Sequence, residues 1–248
     1  MLRALSLLSL LCGSPAQAGE AHELTYRLVL DGEQVGERTL TVRYLDDDVR
    51  LLEAETRLGL SLGRQVVDFE QRLAGRGRRS TGGFVASNRE SAVRSQVQLV
   101  EHEEGWTRVT IDPWGEAVDE LPWAAFDETS LSLMDPGVTR RFQGLTTLRV
   151  LSAETGEVLS GPLEEVGTKT IDVDGTPTEA TAYVWQPQGL GNLTLVYGAR
   201  GHLLAWSWNW FGVLVKGQIT SGLPPERSWG ETIEGGSLIG PSLSSEEL

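Results

Sequence analysis

The chain has 248 residues, of which 40% are hydrophobic and 23% charged, enough for one large domain or two small ones. Lys and Arg number 21 against 35 Asp and Glu, for a net charge of −14, so the chain repels nucleic acid and anionic lipid surfaces, and nucleic acid is not an expected partner. The 29 glycines and 8 tryptophans, punctuating short apolar alternations, are the composition of an antiparallel β protein.

The N-terminus has the form of a secretory signal. Arg3 supplies the positive charge, residues 5–12 (LSLLSLLC) an apolar run, and Ala16-Gln17-Ala18 a cleavage site. The run is far short of the roughly 20 residues a membrane-spanning helix needs. Residues 1–18 therefore read as a signal peptide, and the expected location is periplasmic or secreted. The single cysteine, Cys12, lies inside that segment. Leu10 and Leu11 before it disfavour lipidation. The mature chain then has neither a disulfide nor a thiol nucleophile and depends on its core.

Residues 23–30 (ELTYRLVL) alternate, with Leu24, Tyr26, Leu28 and Leu30 on one face. Asp31-Gly32 follows as a hairpin turn, and residues 34–45 resume the alternation with Gly36 as a candidate bulge. Asp46-Asp47-Asp48 reads as a solvated turn rather than a cation site, because adjacent residues diverge and no further ligands are spaced to meet them. Residues 49–58 and 65–73 are the next expected strands. The intervening Gly59-Leu60-Ser61-Leu62-Gly63 is a literal G-x-S-x-G. A nucleophile elbow requires a helix after the serine, and here a β-type alternation follows. Arg72, Arg76, Arg78 and Arg79 form a basic cluster that reads as an exposed, Gly-rich loop.

Residues 91–101 and 106–112 form another expected hairpin, ended by Pro113-Trp114-Gly115. Residues 120–144 lack clear β alternation. Within them 128–134 has room for a helical turn or two, stopped by Asp135-Pro136-Gly137, so a short helical crossover near 124–137 is expected to join two halves of one sheet. The second half repeats the hairpin habit, with strands at 146–153, 157–161, 164–172, 178–186 and 192–197. Asp172-Val173-Asp174-Gly175 resembles the start of a calcium loop but lacks its later ligands, and reads as a hairpin tip.

In residues 202–216 (HLLAWSWNWFGVLVK), Leu204, Trp206, Trp208 and Trp210 recur at spacing two. On a strand these share one face. With Tyr197 and Trp185 on the neighbouring strands they make an aromatic lining, which suits either core filling or the wall of an apolar pocket. From residue 222 the Pro- and Gly-rich stretch reads as a loose tail, leaving 19–221 as one antiparallel β domain.

The segments ELTYRLVLDGEQVGERTLTV, AFDETSLSL, VGTKTIDVDGTPTEATAYVW and NLTLVYGARGHLLAWSW resemble those of uncharacterised bacterial periplasmic β-protein families, the domain-of-unknown-function type. The resemblance implies a large, open, curved antiparallel sheet like that of the lipoprotein-carrier half-barrels. It attaches no catalytic residue to any position. The leading expectation is a non-enzymatic exported protein that binds an apolar, lipid-like ligand on the concave face, with Trp206, Trp208, Trp210, Leu204, Tyr197 and Trp185 as the lining. The alternative is a structural or accessory protein with no small ligand, and a hydrolase ranks third. No cofactor or metal motif is present.

Overall fold

The computed structural model describes residues 21–45, 49–60, 65–76, 79–90, 93–153, 155–210 and 213–223. The expected signal segment, Asp46–Asp48, Ser61–Gly63 and nearly all of the expected tail lie outside these residues, as does Arg78.

Within these residues fifteen strands form one sheet. In chain order they are β1 (Ala21–Leu30), β2 (Glu33–Leu45), β3 (Val49–Leu60), β4 (Gln65–Arg76), β5 (Arg79–Glu90), β6 (Val93–His102), β7 (Gly105–Asp112), β8 (Gly115–Pro122), β9 (Glu128–Thr129), β10 (Thr147–Leu151), β11 (Val158–Val173), β12 (Thr176–Trp185), β13 (Leu193–Gly198), β14 (Leu203–Trp210) and β15 (Val213–Ser221). The spatial order is β8-β7-β6-β5-β4-β3-β2-β1-β15-β14-β13-β12-β11-β10-β9. Two hairpin-connected meanders are thus joined where the first strand pairs antiparallel with the last, Tyr26 opposite Ile219 and Val29 opposite Lys216. Every pairing is antiparallel except that of β9 with β10. The fold is the mainly β antiparallel sheet that the alternation implies, with the curvature that the resemblance implies.

The turns form where the local chemistry places them. Asp31 and Gly32 have φ of 50° and 89°, and Asp174 and Gly175 have 51° and 76°, the two successive positive values of a type I′ hairpin. The expected bulge lies beside Gly36: Leu28 pairs with Gly36 and Val29 with Gln34, so Val35 is skipped.

Period-two alternation sets the inner face. Leu24, Tyr26 and Leu28 of β1, Leu40 and Val42 of β2, and Leu52, Ala54 and Leu58 of β3 are all buried. Register aligns them in rows, Leu24 with Leu40 and Ala54, and Tyr26 with Arg38 and Thr56. The sheet curls about this face. At one rim the Arg108 guanidinium of β7 donates to the carbonyl of Gly156 in the β10–β11 connection at 2.6 Å, and β9 comes to lie against β5.

Several local expectations are corrected. Strands β5 and β8 were not expected. Strand β5 (RSTGGFVASNRE) carries paired glycines and polar residues, and β8 (GEAVDELP) is a solvated edge with little apolar signal. Arg72 and Arg76 lie in β4 and Arg79 opens β5, so these positions of the basic cluster belong to a strand hairpin rather than a loop. The stretches 157–161 and 164–172 are parts of one 16-residue strand, β11. Gly161 and Pro162, which look like a break, are retained because Gly161 passes close to the backbone at Gln186 and the Pro162 carbonyl accepts from Gln186 N at 2.9 Å. In the crossover, Glu128 and Thr129 pair with Val150 and Leu151 instead of coiling. A single 3₁₀ turn covers Ser132–Met134, and the α-helix, α1 (Val138–Phe142), starts only after Pro136-Gly137.

Gly217 sits directly beneath the Trp206 indole: a Cβ there would fall 2.2 Å from the ring. Gly217→Val should therefore overpack the inner face and cost about 1–3 kcal/mol, read as a lowered midpoint in urea unfolding. An unchanged midpoint would show that the indole does not lie over this glycine.

Candidate functional site

The aromatic stripe is where alternation puts it. Strand β14 lies between β13 and β15, with Trp206 opposite Leu195 and Gly217, and Trp208 opposite Val215. Leu204, Trp206 and Trp208 are buried, as are Tyr197 on β13 and Trp185 on β12. The backbone of Trp210 pairs with Val213, while its side chain lies outside the described residues. The Trp185 and Trp208 rings are 5.8 Å apart at 31°. Five of the six expected lining residues are thus brought onto one inner surface.

That surface is covered by the chain itself. The crossover spans the sheet's interior from one meander to the other. At its start Phe126 and Trp123 pack on Trp106 of β7, with ring centroids 5.6 and 5.1 Å away. At its end Phe142 meets Tyr183 and Tyr197 edge-on at 5.3 and 5.9 Å. The polar ends of three of the buried aromatics, Tyr26, Trp185 and Tyr197, are satisfied by backbone, as burial favours. Tyr197 Oη donates to the Leu133 carbonyl at 2.8 Å, Trp185 Nε1 to that of Leu148 at 3.0 Å, and Tyr26 Oη to that of Leu203 at 3.0 Å. Burial raises the pKa of the Tyr197 phenol well above its ordinary value, with the Glu128 carboxylate adding to the effect, so it remains a neutral donor.

A buried polar latch holds the crossover in its fold. Glu128, 1% exposed, accepts from Ser132 Oγ at 2.6 Å and from Arg141 Nε and Nη2 at 2.5 and 3.2 Å. Arg141 Nη1 also donates to Asp135 Oδ2 at 3.1 Å. Burial works against the guanidinium's charge, but Glu128 and Asp135 outweigh it and the pKa is raised. Thr129 N donates to Ser132 Oγ and Ser132 N to Thr129 Oγ1, closing a tight turn at 2.7 and 3.0 Å. A second pair ties the crossover to β10: Arg149 contacts both carboxylate oxygens of Asp127, with Nη2 to Oδ1 at 2.6 Å, and also donates to the Ala124 carbonyl. Reading strand faces missed this set. Its trace in the sequence is a cluster of acids followed by Arg141 inside an otherwise apolar stretch.

Two further ionisable groups lie inside. Arg38, 4% exposed, has its guanidinium carbon 6.0 Å from the centroid of the Trp206 ring, a cation–π contact. His202, 2% exposed, precedes β14, and burial, reinforced by Arg200 and His22, lowers its pKa to about 4.

The remaining constellation is on the outer face at the β8 edge. His102 Nδ1 accepts from Glu104 N at 3.2 Å, which leaves Nε2 to carry the proton. Nε2 lies 2.7 Å from Glu120 Oε2, an ion-pair distance whose angles fall short of a hydrogen bond. Thr107 Oγ1 bonds the same carboxylate at 3.0 and 3.1 Å. With Glu104, Leu121 and Pro122 these residues line a depression of about 460 Å³. The hydroxyl here is held by the carboxylate rather than by the imidazole, so the pairing is not that of a base-activated nucleophile. Among the described residues no group of three or more His, Cys, Asp and Glu side chains is placed to hold a metal ion. The G-x-S-x-G stretch is flanked by β3 and β4, not by a strand and a helix, and its serine lies outside the described residues.

No protein-family model and no curated protein matches the chain. Among solved structures it is similar to a β-barrel-like protein of the domain-of-unknown-function family DUF1849 from Brucella abortus. The TM-score is 0.58 at 10% sequence identity, covering 83% of this chain and 99% of that one. It also matches a DUF1089 family protein from Pseudomonas aeruginosa at 17% identity and a TM-score of 0.40, covering 69% and 89% of the two chains. The first of these places the chain among β-barrel-like folds and agrees with the uncharacterised β-rich families that the sequence resembles.

Arg141→Leu should cost about 3–5 kcal/mol at neutral pH, because it strands the buried Glu128 and Asp135 carboxylates. Stranded carboxylates have folded pKa values raised above the unfolded values of about 4, so the deficit against the parent should shrink as the pH is lowered towards 5. A deficit independent of pH would locate the loss in packing instead. His202 gives the opposite sign. Its folded pKa of about 4 lies below its unfolded value, so the unfolded chain binds the extra proton first. Its contribution should be intact above about pH 6.5 and be lost as the pH falls towards 4. The difference in unfolding free energy between the parent and His202→Gln should narrow over that window, and a constant difference would exclude a buried neutral imidazole.

Proposed function

We propose that the protein is a non-enzymatic interaction protein acting outside the inner membrane, one that engages partners through its outer surface and keeps its concave aromatic face as core. The carrying observation is that the crossover packs on that face at Tyr197, through the Leu133 carbonyl and the Phe142 ring, and that Trp185 donates to the Leu148 carbonyl of β10. Indoles that are 0–7% exposed under a segment fastened by a buried carboxylate–guanidinium pair contribute to stability as any sheet core does. The signal-like residues 1–18 support the location. The neutral, buried state of His202 and the carboxylate-bound hydroxyl of Thr107 support the non-enzymatic reading.

An apolar-cargo role would use the same side chains differently. A lipid-like guest on Trp185, Trp206 and Trp208 needs the crossover withdrawn, at the cost of uncovering Glu128 and Arg141 to that guest. Cargo on this face and a seated crossover exclude one another, and a single set of measurements separates them. Native mass spectrometry of the exported protein should show the bare chain mass, and indole emission should not move on adding oleate or phosphatidylglycerol vesicles. Trp208→Ala should lose the ~3–5 kcal/mol of a buried aromatic. A co-purified lipid in stoichiometric amount, or a saturable emission shift, would overturn the filled-core reading in favour of cargo.

A further inference from the structure

The two ends of the sheet differ. Strand β9 is buried, whereas β8 is exposed along nearly its whole length and is the last strand of the order. An edge strand turns the backbone N–H and C=O groups of alternate residues outward, a template for a further strand. Register places Thr107, Val109 and Ile111 of β7 opposite Glu120, Val118 and Glu116 of β8, so these six share one face. That face is the outer one, because Trp106 and Arg108, of the opposite parity, point inward to Phe126 and Gly156. Val118 is 56% exposed and Ile111 37%, and Trp114 at the hairpin tip is 89% exposed. The tip is held in shape by Asp112 Oδ1, which accepts from Trp114 N and Gly115 N at 2.8 and 3.0 Å. At the far end of the same strand lies the depression lined by Glu120, Glu104 and His102.

An edge with no further strand on it among the described residues, an exposed apolar strip and an acidic depression in line specify what fits. We propose that β8 is a docking edge for an extended segment of another protein, which adds as a sixteenth strand. A lysine or arginine side chain of that segment enters the Glu104–Glu120 depression, and an apolar side chain two residues along packs on Val118 and Ile111. The spacing follows from period two: Glu120 and Val118 are themselves two apart, so partner side chains of the same parity meet them in turn. The sign of the charge selects the occupant. A second copy of this chain adding through its own β8 would set Glu116, Asp119 and Glu120 against the same acids, and the chain as a whole carries −14, so like-charge repulsion disfavours self-pairing while drawing in a basic segment. This inference rests on the outer-surface reading above and names its partner class.

The test uses the mature chain and a fluorescein-labelled eight-residue peptide, the length of β8, with threonine at alternate positions and lysine and valine sharing the rest. A second peptide carries glutamate for lysine. The lysine peptide should bind saturably by anisotropy, more weakly as salt is raised, and should slow amide hydrogen exchange across residues 115–122. Glu120→Lys, at a solvated position that leaves the fold intact, should weaken binding by about tenfold or more. Val118→Pro should abolish the exchange protection by removing an edge donor. Equal binding of the glutamate peptide, insensitivity to Glu120→Lys, protection confined to other strands, a β8-dependent dimer in sedimentation, or no saturable binding would each overturn the proposal. Failure here with no lipid in the native mass spectrum sinks the edge alone, whereas a bound lipid sinks the filled-core reading on which it stands.

Discussion

A curled sheet of this size creates an inner face too large and too apolar to leave open, and the structure depends on how that face is covered. The solution is a segment of about twenty residues that leaves the β8 edge, passes through the interior and returns as β10. Ring contacts fasten its two ends, Phe126 to Trp106 and Phe142 to Tyr197. Its middle is polar, and it remains inside only because Glu128, Asp135, Ser132 and Arg141 satisfy one another there. Such a set adds little net stability compared with an apolar filling, but removing one member leaves a buried charge. The latch therefore specifies one path for the crossover rather than supplying the bulk of the cohesion.

The second constraint is the pairing of the first strand with the last. It joins two meanders that would otherwise be separate sheets, and it brings Tyr26, Gly217 and Trp206 together across 191 positions of chain. The Tyr26 hydroxyl on the Leu203 carbonyl and the Arg38 guanidinium over the Trp206 ring lie at this junction. Closure of loops this long is entropically costly, so the seam depends on burying several large side chains at once. Gly217 leaves the room in which the indole lies flat.

Core and surface divide the work cleanly. The aromatic inner face is committed to holding the sheet, the crossover and the terminal seam together. The polar and acidic outer rim at β8 has no comparable structural duty: its side chains are largely exposed, and among the described residues no further strand pairs with its edge.

Much of the architecture was legible in the residues because the period-two rule is local. Leu24, Tyr26 and Leu28 share a face wherever β1 sits, Asp31-Gly32 and Asp174-Gly175 turn because of their own backbone preferences, and Leu204, Trp206 and Trp208 align for the same covalent reason. The weak strands were not legible. In β5 two glycines dilute the pattern, and β8 has almost no buried face to advertise. Nor was the latch, since Glu128 and Arg141 are thirteen positions apart and meet only through the turn at Ser132 and the helix after Gly137. Alternation states which side of a strand is apolar, but it does not state what lies against that side. That the aromatic face meets the chain's own crossover, Tyr197 against Leu133 and Phe142, is a relation between distant segments, and only the tertiary structure decides it.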